Sequence, residues 1–293
     1  MHQSTHQRCA VVKARSSYFV CATPRTGSTL LCDMLMNSGM AGYPEEYFEY
    51  LKETGLPRQP IEYFELRDEF LAGTVQEAKE RRSDHQRLKE WSSHGYASLA
   101  KVVLNARCTA NGVFGAKMMW GYFGDFLDQM FSIDVGDPNL SNERIQAFFP
   151  NLRYIWVRRK DSLLQAISLW KAIQTQCWRM DAGDGRDRKA CNASFSYEAI
   201  SYLQQALVEE DACWEGYFRR IGVIPIVVRY EELSANPTKV ASSVLSQLGL
   251  PVEGEGIYST MKRQRDGTSL FWKRMFLEAE IQQRAQDTLG TSM

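Results

Sequence analysis

The chain has 293 residues, 44% of them hydrophobic and 24% charged, which is an ordinary globular composition with material for a substantial core. Lysine plus arginine and aspartate plus glutamate stand at 35 each, so no net field recruits nucleic acid or an anionic lipid surface. Any anion must therefore be bound by local clusters.

The first seventeen residues carry His2, His6, Lys13 and Arg15 but no continuous apolar stretch. They predict a disordered tail rather than a signal peptide, with one domain over 18–293. No apolar run approaches the roughly 18–20 residues that span a bilayer. The seven cysteines form no CxxC pair, and two of the four histidines lie in the tail. That pattern predicts no metal site and fits a reducing cytoplasm.

Four short apolar runs read as buried parallel strands: Tyr18–Ala22, Val113–Met118, Leu152–Val157 and Ile224–Arg229. Helical patterns follow two of them, with Leu30, Leu31, Met34 and Leu35 on one face and Leu163, Leu164, Ile167 and Trp170 on another. Strands alternating with helices predict an α/β fold, a central parallel β-sheet flanked by helices, with sites at the carboxyl ends of the strands. Residues 41–65 lack this pattern. The polar stretch 181–194 reads as a loop or lid, and 75–95 as a solvated helix face.

The first strand runs into Pro24-Arg25-Thr26-Gly27-Ser28-Thr29 at the start of a helix. Unpaired N–H groups and the helix dipole favour an anion there, Gly27 permits close approach, and Arg25 supplies bidentate donors. Thr26 and Ser28 would equally serve as helix caps, and the loop alone does not decide between the two. A Walker A loop is excluded, because no lysine precedes the serine and no glycine lies five residues before Gly27. That disfavours the competing reading as a nucleotide-dependent kinase. A non-catalytic nucleotide-binding protein is a third reading.

The third strand runs into Arg158-Arg159-Lys160 and then Asp161, a helix N-cap. Three cations at a second strand end predict a second anion site. Two such sites suit a donor with phosphates on both sides of a ribose. Lys117, at the end of the second strand, reads as a surface group more readily than as a ligand contact, and Trp120, Trp170 and Trp178 read as core.

The chain resembles the sulfotransferases, and most closely the bacterial trehalose 2-sulfotransferase family. The stretches that carry this are ATPRTGSTLLCDML (22–35), AGYPEEYFEYL (41–51), NGVFGAKMMW (111–120), RRKDSLLQAISLWKAIQTQCWR (158–179) and VRYEEL (228–233), in family order. The resemblance implies a P-loop-like sulfotransferase fold and transfer of a sulfuryl group from 3′-phosphoadenosine 5′-phosphosulfate (PAPS) to a hydroxyl of a carbohydrate or other small polar acceptor, without a metal. It implies that Pro24–Thr29 binds the 5′-phosphosulfate, with Arg25 where many sulfotransferases carry lysine. Arg159 and Ser168 then bind the 3′-phosphate, although the wider superfamily places its serine at the position of Gln165. The resemblance also implies that Arg263 and Arg265 belong to a C-terminal loop able to close over the nucleotide, and that the enzyme is a homodimer.

Sulfuryl transfer needs a base, and the resemblance makes it Glu46, with burial against Tyr47 and Phe48 expected to raise its pKa. Tyr43, Glu45, Glu46, Tyr47, Phe48, Arg58 and Tyr63 form the expected acceptor pocket, in which carboxylates accept hydroxyl hydrogen bonds and rings pack on sugar C–H faces. At 43, 58 and 63 the trehalose-sulfating pattern has an acid, a proline and a tryptophan, so the resemblance carries the chemistry further than the sugar's identity.

Overall fold

The computed structural model describes residues 13–49, 63–64, 96–137, 142–178, 193–252, 257–259, 261 and 267–290. Its strands are β1 (Ser16–Ala22), β2 (Val113–Met119), β3 (Arg153–Arg158) and β4 (Ile226–Arg229). All four anticipated runs are strands, with ends moved by one or two residues. Ser16 and Ser17 of β1 fall inside the stretch read as tail, because both pair with β2. Ile224 lies outside β4 and is fully open to solvent.

All neighbouring strands run parallel, in the order β2-β1-β3-β4. From the central β1 the chain moves first to β2 on one side, then crosses to β3 and β4 on the other. That reversal opens a crevice beyond the carboxyl ends of β1 and β3. The loop 23–27 and Arg159 follow those two ends.

Each face of the sheet is covered, which is why β1 is buried along nearly its whole length. Tyr18, Val20 and Ala22 point to one face, against Leu31 and Leu35 of α1 (Ser28–Asn37) and Val244 and Leu245 of the later helix Pro237–Gln247. Phe19 and Cys21 point to the other. There they meet an aromatic cluster including Phe123 and Phe126 of the helix Trp120–Phe131 and Trp214 and Tyr217 of the helix Tyr197–Arg220. A third core joins the helix Ser162–Thr175, which follows β3, to Tyr197–Arg220 and to Trp272 and Phe276 of the C-terminal helix Gly267–Gly290.

In chain order the remaining helices are α2 (Tyr96–Ala106), α3 (Trp120–Phe131), α4 (Glu143–Phe148), α5 (Ser162–Thr175), α6 (Tyr197–Arg220), α7 (Tyr230–Ala235), α8 (Pro237–Gln247) and α9 (Gly267–Gly290). Asp161 caps α5 as expected, its carboxylate accepting from the Leu164 N–H. Lys273 of α9 pairs with the same carboxylate at 2.6 Å, so the C-terminal helix is tied to the start of α5. The expectations for 75–95 and 181–192 lie outside the described residues.

Candidate active site

The turn from β1 into α1 keeps its shape through unusual backbone. Gly27, the residue before α1, has φ +83°, and a Cβ on it would sit 2.8 Å from Cδ2 of Tyr230. Only glycine meets both demands without strain. Arg25 also has a positive φ, 65°, although it carries a full side chain. The cap alternative is answered here: α1 has no side-chain cap hydrogen bond, and the Thr26 hydroxyl donates back to the Thr23 carbonyl. The N–H groups of the first turn have no partner within a helix, and a phosphate or sulfate oxygen suits them.

Arg25 is drawn inward. Its Nε donates to Ser168 Oγ at 3.0 Å and its Nη1 to the Trp178 carbonyl at 2.8 Å. Burial, reinforced by the nearby Arg159 charge, pulls its guanidinium down to about 10, which leaves it charged at neutral pH. Arg159 donates to the Arg25 carbonyl at 3.1 Å and lies over the Tyr230 ring, 4.3 Å from its centroid. Two guanidinium groups thus converge on one loop from the ends of β1 and β3.

The expected triple-cation cluster is narrower than the sequence implied. Arg158 turns away, with both Nε and Nη2 on Asp211 Oδ2 and its guanidinium stacked on Trp156 at 3.9 Å. Lys160 is exposed, and its backbone N–H donates to Glu231. Arg159 alone of the three faces the phosphate loop. Ser168 serves Arg25 directly, and Gln165, one turn earlier, donates to Thr23 Oγ1 and the Pro24 carbonyl.

The opposite wall comes from 41–49. Gly42 has φ +71°, and a Cβ there would strike the Val113 carbonyl at 2.8 Å, so glycine lets this segment lie against β2. The Lys117 N–H then donates to the Glu45 carbonyl at 3.0 Å, in a parallel bridge between Glu45 and Ala116. This brings the Glu46 carboxylate to Lys117 Nζ, 2.6 Å away, while the same ammonium donates to Thr29 Oγ1 at 3.1 Å.

Lys117 is therefore no surface group. Its side chain is 10% exposed and that of Glu46 26%. Burial alone would lower the Lys117 pKa, but the Glu46 carboxylate more than offsets it and the ammonium sits above the ordinary lysine value. Cys32 of α1 lies near this pair, its thiol pushed up to about 12 by burial.

The proposed acceptor residues divide. Tyr43 and Glu45 are exposed, and Glu46 faces Lys117. Tyr47 stacks on Phe114 and donates from its hydroxyl to the Tyr43 carbonyl. Phe48 is fully buried among Phe126 and Phe149 and offers no ring face to a sugar, so this residue is core. The neighbours expected to enclose Glu46 belong to that core and its edge, and the carboxylate meets an ammonium instead. Tyr63 stacks on Trp178 at 5.7 Å. Trp178, read as core, is only partly buried, and its carbonyl receives Arg25, whereas Trp170 is core. Arg58, Arg263 and Arg265 lie outside the described residues. Among the described residues no group of histidine, cysteine or carboxylate side chains is placed to hold a metal, and no helix is long and apolar enough to cross a membrane.

Residues 17–279 match the family model described as Stf0 sulphotransferase. The chain belongs to that family. The protein is thus a sulfotransferase enzyme with a parallel α/β fold. It is 30% identical over 243 residues to the trehalose 2-sulfotransferase of Mycobacterium tuberculosis (strain ATCC 35801 / TMC 107 / Erdman), covering 81% of this chain and 85% of that one. It is also 30% identical over 236 residues to the trehalose 2-sulfotransferase of Mycolicibacterium smegmatis (strain ATCC 700084 / mc(2)155), covering 80% and 84%. Among solved structures, a sulfotransferase from Alicyclobacillus acidocaldarius aligns at 14% identity and a TM-score of 0.41 over 90% of this sulfotransferase and 92% of that chain.

Proposed function

We propose that this sulfotransferase moves a sulfuryl group from PAPS to a hydroxyl of a sugar, with a trehalose-like disaccharide as the leading acceptor class, and that Glu46 is the base. The observation that carries the reading is the chain Glu46–Lys117–Thr29, which sets a carboxylate and the start of α1 on either side of one buried ammonium.

The donor, when bound, supplies an activated sulfuryl group and a phosphate that leaves with the electrons of the broken S–O bond. Pro24–Thr29, with the first-turn amides of α1, Arg25 and Lys117, would hold the 5′ end and the charge that develops on the leaving oxygen. Arg159, at the neighbouring strand end, would hold the 3′-phosphate. Glu46 takes the proton of the attacking hydroxyl, and its link to Lys117 keeps it within reach of the loop where the sulfuryl group arrives. The acceptor side is supported by Glu45, Tyr43 and the Tyr63–Trp178 stack, and the homology to two trehalose 2-sulfotransferases favours a sugar there. No step calls for a metal.

Two phosphate sites predict that adenosine 3′,5′-bisphosphate protects the fold better than AMP or ATP. At a hundred-fold excess over Kd the gain is ~2.7 kcal/mol, or about 5–10 °C in Tm for a domain of this size. Equal protection by AMP would remove the second site, and stronger, magnesium-dependent protection by ATP would favour a kinase.

A further inference from the structure

The face of α5 that looks towards the phosphate loop carries Gln165, 4% exposed, and Ser168 one turn later. Gln165 Nε2 donates to Thr23 Oγ1 at 2.8 Å and to the Pro24 carbonyl at 2.7 Å. With the other loop bonds this makes a pattern. Three successive carbonyls, of Thr23, Pro24 and Arg25, each accept from a different side chain: Thr26, Gln165 and Arg159.

In a trans peptide the C=O and N–H point in opposite directions. Fixing the Pro24 carbonyl on Gln165 therefore aims the Arg25 N–H away from α5, and fixing the Arg25 carbonyl on Arg159 aims the Thr26 N–H away from Arg159. Between these two held peptides sits Arg25 at φ 65°, a left-handed conformation that a residue with a Cβ keeps only when its surroundings impose it. A primary amide suits the task. It offers two donors without charge, one for a hydroxyl and one for a carbonyl, in a place too buried for an ammonium.

We propose that Gln165 is a positioning residue for the sulfuryl donor. Its amide holds the Thr23 hydroxyl and the carbonyl of the Pro24–Arg25 peptide so that the loop presents its N–H groups to the 5′ end before the donor arrives. It touches no substrate, and it acts through the peptide it holds. The inference rests on the donor site proposed above and adds to it the group that sets the loop's shape.

Gln165→Glu and Gln165→Met separate this role from general packing. Both keep the side-chain volume. Methionine loses both donors, and ionised glutamate places an acceptor against the Pro24 carbonyl. Binding of adenosine 3′,5′-bisphosphate, measured by calorimetry on the folded protein and expressed relative to wild type at each pH, should weaken about ten-fold in the methionine variant at every pH. In the glutamate variant the loss should be at least as large at pH 8 and shrink as the pH falls and the buried acid takes up the proton it can donate to Pro24. If the glutamate variant does not fold, the methionine variant alone decides. Wild-type affinity in a folded variant, or a glutamate variant whose loss ignores pH, would overturn the inference. A wild-type protein that does not bind the bisphosphate would instead remove the donor site itself, and this role with it.

Discussion

Replacing Lys117 with methionine keeps the stem of the side chain and deletes the ammonium between Glu46 and Thr29. Breaking a fully buried ion pair costs about 3–5 kcal/mol, whereas an exposed pair contributes about 0–1 kcal/mol. Lys117 is 10% exposed but Glu46 is 26% exposed, so water can reach part of the orphaned carboxylate. The expected loss of stability is thus intermediate, about 1–3 kcal/mol, or about 2–10 °C in Tm. Catalysis should suffer more. A preorganised donor aimed at developing charge contributes about a hundred- to a thousand-fold in kcat, and Lys117 also holds the proposed base. Steady-state transfer from PAPS, with the folded fraction checked by circular dichroism, separates the two effects. A variant that loses stability but keeps kcat within about three-fold of wild type would refute the catalytic part and leave Lys117 a structural bridge.

Gly27→Ala should cost about 1–2 kcal/mol from the left-handed backbone alone. It should also displace Tyr230, 2.8 Å from the new Cβ, and with it the Arg159 guanidinium that lies over that ring, so calorimetry should show weakened bisphosphate binding beside a lower Tm. The Lys273–Asp161 pair has a pH signature. Burial alone would raise the Asp161 pKa, but Lys273, the Leu164 N–H and Arg159 outweigh it and hold it below the ordinary value of 3.8. A carboxylate depressed in the fold stabilises above its unfolded pKa, and that stability is lost as pH falls through the folded one. Denaturant unfolding should show Lys273→Met less stable by up to about 1 kcal/mol from neutral pH to about pH 4, with the gap closing below.

The sheet was legible because each strand is a continuous apolar run closed by polar residues, and a sheet covered on both faces needs little else. The same burial hid Lys117. In a strand buried on both sides, alternation no longer tells an inward side chain from an outward one, and a lysine at a strand end reads as surface. Its cue lay in 41–49, where Gly42 allows the chain to lie on β2, but a glycine's backbone angle is not written in its neighbours. Phe48 was misread because an aromatic beside two glutamates fits a pocket as well as a core. Its side chain is turned into the Phe126–Phe149 cluster by tertiary packing. Arg158 and Arg159 look alike in sequence, but Arg158 ends β3 and turns to Asp211, while Arg159, just past the strand, turns to the loop. Gln165 and Ser168 were both in view, on one face of α5. What the sequence withheld was which peptide each one holds.

Incubation with labelled PAPS and a panel of sugars including trehalose, wild type beside Glu46→Gln, tests the account most directly. Wild type should transfer label to a sugar hydroxyl without added metal. The variant should bind adenosine 3′,5′-bisphosphate with nearly unchanged affinity and turn over about a hundred-fold or more slowly, as expected for loss of a general base. Transfer by the variant at the wild-type rate would remove Glu46 as the base, and wild-type protein that binds the bisphosphate but sulfates no sugar would contradict the acceptor class.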